Sequence, residues 1–195
     1  MYNKILYSFL LLAFILFSFK DECGSYRWFV KTLTDNEGND VFKLAAKPSS
    51  LFTLINEPRT VPDHENNSQF RYKDECRKVK LEVTLYKIKE EAKDHDFHII
   101  LKSGNNTMVG EVPDGNCGAF DNHPVLRKHF NDLRNQIIDA IGFHPTRKLK
   151  AVYRNVIIEG VPFWDENETE HKPTGSAQNQ HEIHPITKIS FDLSE

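Results

Sequence analysis

Between Lys78 and Lys89 the chain reads Lys-Val-Lys-Leu-Glu-Val-Thr-Leu-Tyr-Lys-Ile-Lys, and apolar Val79, Leu81, Val83 and Leu85 are each separated by a polar residue. A period of two places one set of side chains on each face of an extended strand, whereas a helix would scatter them around its whole circumference. The charged turn Glu90 to His95 leads to a second apolar run, Phe97-His-Ile-Ile-Leu101. Ser103-Gly-Asn-Asn106 has turn composition, so Thr107 to Val112 reads as the third strand of a meander. The period then changes. Leu126, Phe130, Leu133, Ile137 and Ile141 recur at steps of three and four, which predicts a helix that opens at Pro124 after Asn122 and His123 and stops at Gly142. Leu149 to Gly160 restores strand composition, and a polar loop from Asp165 to Gln180 leads to a last strand, Ile186 to Phe191.

Three strands, a helix and two strands is the order of an OB-fold, a five-stranded Greek-key barrel. The expectation is therefore a mainly β protein: an OB-like barrel over 78–195, with its one helix between strands 3 and 4 plugging an end. The rival is a small α+β sheet with the helix laid across it. Residues 20–77 contain Pro48, Pro58 and Pro62 and no sustained period, so they read as an irregular strap. One helical turn is expected around Ser50 to Ile55, capped by Ser49 or Ser50.

Residues 1–19 have the layout of a secretory signal. Lys4 precedes an apolar run from Ile5 to Phe19 that ends at Lys20-Asp21-Glu22, and such a run is short for a membrane span of about 20 residues. Ser18 suits a cut; Leu16 does not. Export to the periplasm or the exterior follows, with lipidation of Cys23 as a lesser alternative because Lys20-Asp21-Glu22 is a poor lipidation context. An oxidising compartment allows disulfides. Of Cys23, Cys76 and Cys117, the pair Cys76 and Cys117 is the favoured bridge, since both border predicted strands, and pairings through Cys23 are its rivals. The full chain has a net charge of −3, which disfavours nucleic acid as a partner, because that binding is driven by cationic surface. A polysaccharide, peptide or small polar ligand fits better.

Polar residues crowd two regions. Asp94, His95, Asp96 and His98 surround the first hairpin, and Glu111-Val-Pro-Asp114 closes the third strand. The second region runs from Asp165 through His171, Gly175 and Asn179 to Glu182-Ile-His184. Carboxylate oxygens and imidazole nitrogens are what divalent cations take as ligands, so Asp94, Asp96, Glu111, Asp165, His171 and His184 form a candidate metal set. Glu182 and His184 share one face of an extended segment, and Glu182 would serve as a general base or orient the ring. The alternative is a buried network of Asp96, His98, Glu182 and His184 that only locks the loops. Signatures of serine hydrolases, zinc proteases, phosphate-binding loops and dithiol redox sites are absent.

Several of these segments resemble a family of uncharacterised bacterial exported proteins. The resemblance is carried by Arg27-Trp28-x-Val30-Lys31-Thr32, Asp94-His-Asp96-Phe97-His98, Met108-Val-Gly-Glu111-Val-Pro113-Asp114, Phe163-Trp-Asp165 and Glu182-Ile-His184-Pro185. It implies export and names no substrate; glycine commonly follows the histidine matched by His171, where this chain has Lys172.

Three functions follow as expectations. The first is a binding module for an extended polymer or small polar ligand, with Tyr86, Tyr153, Phe163 and Trp164 as stacking surface. The second is a divalent-metal-dependent hydrolase, with phosphodiesters as a candidate substrate, which requires the first hairpin and the C-terminal segment to converge. The third is a structural exported protein built on the buried polar network.

Overall fold

The computed structural model describes residue 24 and residues 27–59, 70–165 and 174–191. The signal-like segment 1–19, Cys23 and His171 lie outside the described residues. Helices are α1 (Trp28–Lys31), α2 (Gly38–Lys43), α3 (Leu51–Ile55) and α4 (Pro124–Ile141); strands are β1 (Lys47–Pro48), β2 (Val79–Glu90), β3 (Phe97–Ser103), β4 (Asn106–Val112), β5 (Lys150–Trp164) and β6 (His181–Phe191).

The protein is mainly β, a six-stranded mixed sheet in the order β1-β2-β3-β4-β6-β5, with β2 and β5 also paired to each other. The pairings of five strands therefore close into a ring. β2, β3 and β4 form the expected meander, and β4 meets β6 in parallel at Gly110 and Ile183. Gly104, at φ 57°, supplies the positive φ that the tight β3–β4 turn requires. Inside the ring, Leu81, Leu85, Ile99, Leu101, Ile158, Ile183 and Ile186 form one apolar core.

α4 adds Leu126, Phe130, Leu133 and Ile137 to that core, the face its spacing predicts. It begins at Pro124 and ends where Gly142 turns left-handed at φ 75°, its N–H donating to the Ile138 carbonyl. Arg134, from the flank of the same helix, donates to the His95 carbonyl at 2.8 Å and lies 3.7 Å over the Phe97 ring, which ties the helix to the first hairpin.

Two boundaries depart from expectation. β5 runs on past Gly160 to Trp164, and β6 begins at His181, so Glu182-Ile-His184, expected to be extended, is part of the last strand itself. Pairing survives Gly160 and Pro162 because the register shifts at those residues: Pro162 sits opposite Ile183, Phe163 opposite Glu182 and Trp164 opposite His181. A bulge accommodates a residue without an N–H. Gly160 is also needed for close approach, since a Cβ there would lie 2.2 Å from the Ile183 side chain and 2.8 Å from the Pro185 carbonyl.

The segment before β2 is more regular than its composition suggests. Ser50 caps α3 as expected, accepting from the Thr53 N–H at 3.0 Å. α1, α2 and β1 were not foreseen; β1 pairs in parallel with β2 at Val79 and Lys80. Leu33, Val41, Leu51 and Leu54 join the main core. The expected Cys76–Cys117 bridge is not formed: Cys76 is an exposed free thiol. Cys76 lies three residues before β2, directly after a single helical turn, and its S–H donates to the Tyr72 carbonyl at 3.4 Å.

Ile157 and Ile158 are adjacent on β5 but face opposite ways, 37 % and 0 % exposed. Ile158→Ala is expected to cost about 2–5 kcal/mol by denaturant unfolding, and Ile157→Ala less than about 1 kcal/mol; equal losses would contradict the ring interior as the core.

Candidate functional site

Alternation along three strands builds a polar site on the outer side of the ring. On β3, Phe97, Ile99 and Leu101 enter the core, so His98 between them faces away. Glu111 is its register partner on β4. On β6, Ile183 enters the core, which turns Glu182 and His184 outward to the same side. This outer face is then covered. Trp28 of α1 and Phe163 of β5 set their rings 6.4 and 5.9 Å from the His184 ring, and the Thr174 carbonyl lies 3.3 Å from His98 Nε2.

His184 is completely buried. Its Nε2 faces Asp96 Oδ2 at 3.3 Å, and its Nδ1 lies 3.1 Å from Glu111 Oε2 and 3.2 Å from Glu182 Oε1. Asp96 Oδ1 accepts the Asp114 N–H at 3.0 Å. Asp96 Oδ2 and His184 Nε2 are both buried and neither makes a hydrogen bond; 3.3 Å apart, they face each other in poor hydrogen-bonding geometry. The other Glu111 oxygen lies 2.9 Å from His98 Nδ1. Lys31 projects from α1 so that Nζ donates to Asp165 Oδ1 at 3.1 Å and stands 3.7 Å from Glu182.

Burial disfavours every charge here, and the neighbours decide each outcome. Burial pushes the Asp96 carboxyl up to about 7, against the opposing pull of His184. For His184, burial acts to lower the pKa, but Asp96, Glu111 and Glu182 prevail and hold it well above the usual imidazole range. Glu111 is held well below the usual carboxylate range: burial opposes this, and hydrogen bonding to His184 and His98 overcomes it. Burial and then Asp165 raise Glu182. Lys31 stays charged because Asp165 and Glu182 outweigh its burial.

Asp96, Glu111 and His184 each offer one ligand atom, all within 4.8 Å of one another; Glu91, His98 and Glu111 do the same. Two carboxylate oxygens and one imidazole nitrogen suit a divalent ion such as Mn²⁺ or Zn²⁺.

Of the residues expected in the site, Asp96, Glu111, Glu182 and His184 come together directly. Asp94 lies beside them, its Oδ1 accepting the Asp96 N–H at 3.3 Å, and Asp165 joins through Lys31. The aromatic surface divides. Tyr153 is 64 % exposed and Tyr86 half-buried, but Phe163 and Trp164 are fully buried and provide no platform. The N-terminal segment covers them: the Arg27 guanidinium sits 4.8 Å over Phe163 and that of Arg59 5.8 Å over Trp164, which stacks on His181 at 4.0 Å.

Lys31 stands in the Arg27-Trp28-x-Val30-Lys31-Thr32 motif but received no role, because a lone lysine ahead of the first predicted strand has the look of a solvated side chain. The buried Arg27–Glu75 pair, in which Glu75 also accepts the Trp164 N–H at 3.1 Å, was missed. No family model matches the chain, and no curated protein matches it.

A depressed carboxyl contributes stability that is fully present above its unfolded pKa, about 4.3 for glutamate, and is lost as pH falls through the lower folded value. In chelator, the wild-type urea midpoint is therefore expected to fall on acidification below that point, and Glu111→Gln to flatten the fall. An equally steep acid limb in the variant would show that Glu111 is not stabilised by its histidines.

Proposed function

We propose that the protein is an exported OB-type barrel whose Asp96–Glu111–His184 centre holds a divalent cation, and that this centre serves metal-assisted hydrolysis with Glu182 as base. The closed pairing β2-β3-β4-β6-β5-β2, with α4 between β4 and β5, supports the OB assignment. Export rests on the signal-like N-terminus and on the resemblance to exported bacterial proteins.

One observation carries the cation reading. Asp96 Oδ2 and His184 Nε2 are buried, unpaired by hydrogen bonds and turned toward each other, with Glu111 within reach. Buried polar atoms are ordinarily satisfied, and a cation would satisfy both. Side-chain exposure rises from Asp96 and His184 at 0 % through Glu182 at 9 % and Lys31 at 13 % to Asp165 at 29 %. Water and substrate would reach the centre from that side, where Glu182 stands next to His184. A bound cation would polarise the scissile group and lower the pKa of a water.

A structural reading has its own support: His184 Nε2 already stands in an ion pair with Asp96 and Nδ1 faces two carboxylates, so the network neutralises its charge without any added ion.

Calorimetric titration with Mn²⁺, Zn²⁺, Mg²⁺ and Ca²⁺ separates the two. The cation reading expects one site per chain, a stabilisation of about 2.7 kcal/mol at a hundredfold excess over Kd, and loss of both in Asp96→Asn and His184→Ala. Absence of binding, with His184→Ala strongly destabilised, would establish the structural reading. For the hydrolytic half, the cation-loaded protein is expected to cleave bis(p-nitrophenyl) phosphate, with Glu182→Gln slowed by about 10²–10⁴ yet still binding the ion. An ion-loaded protein inert to that ester would contradict it.

A further inference from the structure

On another part of the ring, β2 and β5 interrupt each other's pairing. Leu85 pairs with Arg154 and Lys87 with Ala151, which leaves Tyr86 unpaired on one strand and Val152 and Tyr153 on the other. Tyr153 takes φ 58°, a left-handed conformation that is an outlier for a bulky residue. Such positions are maintained only where the surroundings impose them, and they cluster at functional sites. The paired bulges bring the two rings to 5.0 Å and 73° on the outer surface, with Tyr153 64 % exposed.

Two cations attend this pair. The ammonium groups of Lys87 and Lys102 each lie 4.9 Å from the Tyr86 ring centre. Neither forms an ion pair with a carboxylate among the described residues. Lys102 also borders a shallow groove of about 810 Å³, whose wall includes Thr84, Ser103, Asn155 and Phe191, with Glu82 as the one carboxylate among its described residues. The Thr84 hydroxyl donates to Asn155 Oδ1 at 3.3 Å, which leaves the Asn155 amide N–H₂ to bond a ligand.

We propose that the Tyr86–Tyr153 face and its adjoining groove bind a short segment of an acidic polysaccharide of the uronate type. The exposed Tyr153 ring offers an apolar face to the C–H face of a sugar, hydroxyl and amide groups suit its hydroxyls, and the two ammonium groups, which meet no carboxylate among the described residues, suit widely spaced carboxylates. A neutral sugar would leave both ammonium groups with no partner but the Tyr86 ring. A nucleic acid, carrying a charge every ~1.7 Å of duplex axis, demands more cationic surface than two lysines on a chain of net charge −3. The site is separate from the histidine centre and does not depend on it.

The test titrates the full mature protein with hexagalacturonate in EDTA, which removes any bridging cation, beside a neutral hexasaccharide and an oligothymidylate of the same length. The expected result is binding of the uronate alone, weakened tenfold or more in Lys102→Gln and in Tyr153→Asn, and unchanged in Lys128→Gln on the exposed face of α4. Asparagine tolerates the left-handed backbone, so Tyr153→Asn should unfold at the wild-type temperature or above. No uronate binding, equal binding by Tyr153→Asn, or preference for the neutral sugar or the oligothymidylate would overturn the proposal. So would a Tyr153→Asn variant that loses stability while binding normally, since the tyrosine would then be a packing element only.

Discussion

A histidine ring that is completely buried with carboxylates at both nitrogens sets the terms for the rest of this structure. His184 cannot be hydrated, and neither can Asp96 across from it. Removing charges from water costs several kcal/mol each, so the fold has to supply opposite charge at hydrogen-bonding range from several directions. It does so with residues distant in sequence: Asp96 and His98 at the start of β3, Glu111 near the end of β4, Glu182 on β6 and Lys31 from α1. They are spread over β3, β4, β6 and α1, so the centre exists only when the ring has closed and the N-terminal segment has docked.

The backbone serves that convergence. β4 and β6 meet at Gly110 and Ile183, and a Cβ on Gly110 would lie 2.9 Å from both Leu101 and Ile186. Glycine lets the two strands come close enough for Glu111 and His184 to touch. Gly160 does the same between β5 and β6, and this brings Phe163 against the histidine ring. The N-terminal layer completes the enclosure through a second buried pair. Arg27 reaches Glu75, which accepts the Trp164 N–H, and Arg71 holds Asp35 at 2.7 Å. These contacts fix α1, and through it Lys31, over the outer face of β3, β4 and β6.

How much of this the sequence displays depends on range. Alternation from Val79 to Leu85 and the three-and-four spacing from Leu126 to Ile137 are local signals, and both elements form where they predict. The same is true of the Ser50 cap and the turn at Gly104. Pattern fails where pairing runs through Gly160, Pro162 and Pro185, because bulged strands do not alternate; β5 and β6 are therefore longer than composition suggests. The pairing of Glu182 with His184 was readable from their spacing, and the convergence of Asp96 with His184 was a stated condition of the metal reading that the structure meets. Burial of Phe163 and Trp164 was not readable. It arises from the N-terminal segment lying on them, a contact between residues more than a hundred apart in sequence.

The most direct test of the cation centre is the nitrogen NMR spectrum of His184 in imidazole-labelled protein, recorded first in chelator and then with Mn²⁺ replaced by diamagnetic Zn²⁺ or Mg²⁺. The account predicts a doubly protonated ring in chelator, held by its carboxylates, and loss of one ring proton when one equivalent of the cation is added, with that nitrogen shifted to a metal-bound position. A ring that keeps both protons at every cation concentration would show that the carboxylates are reserved for the histidine itself.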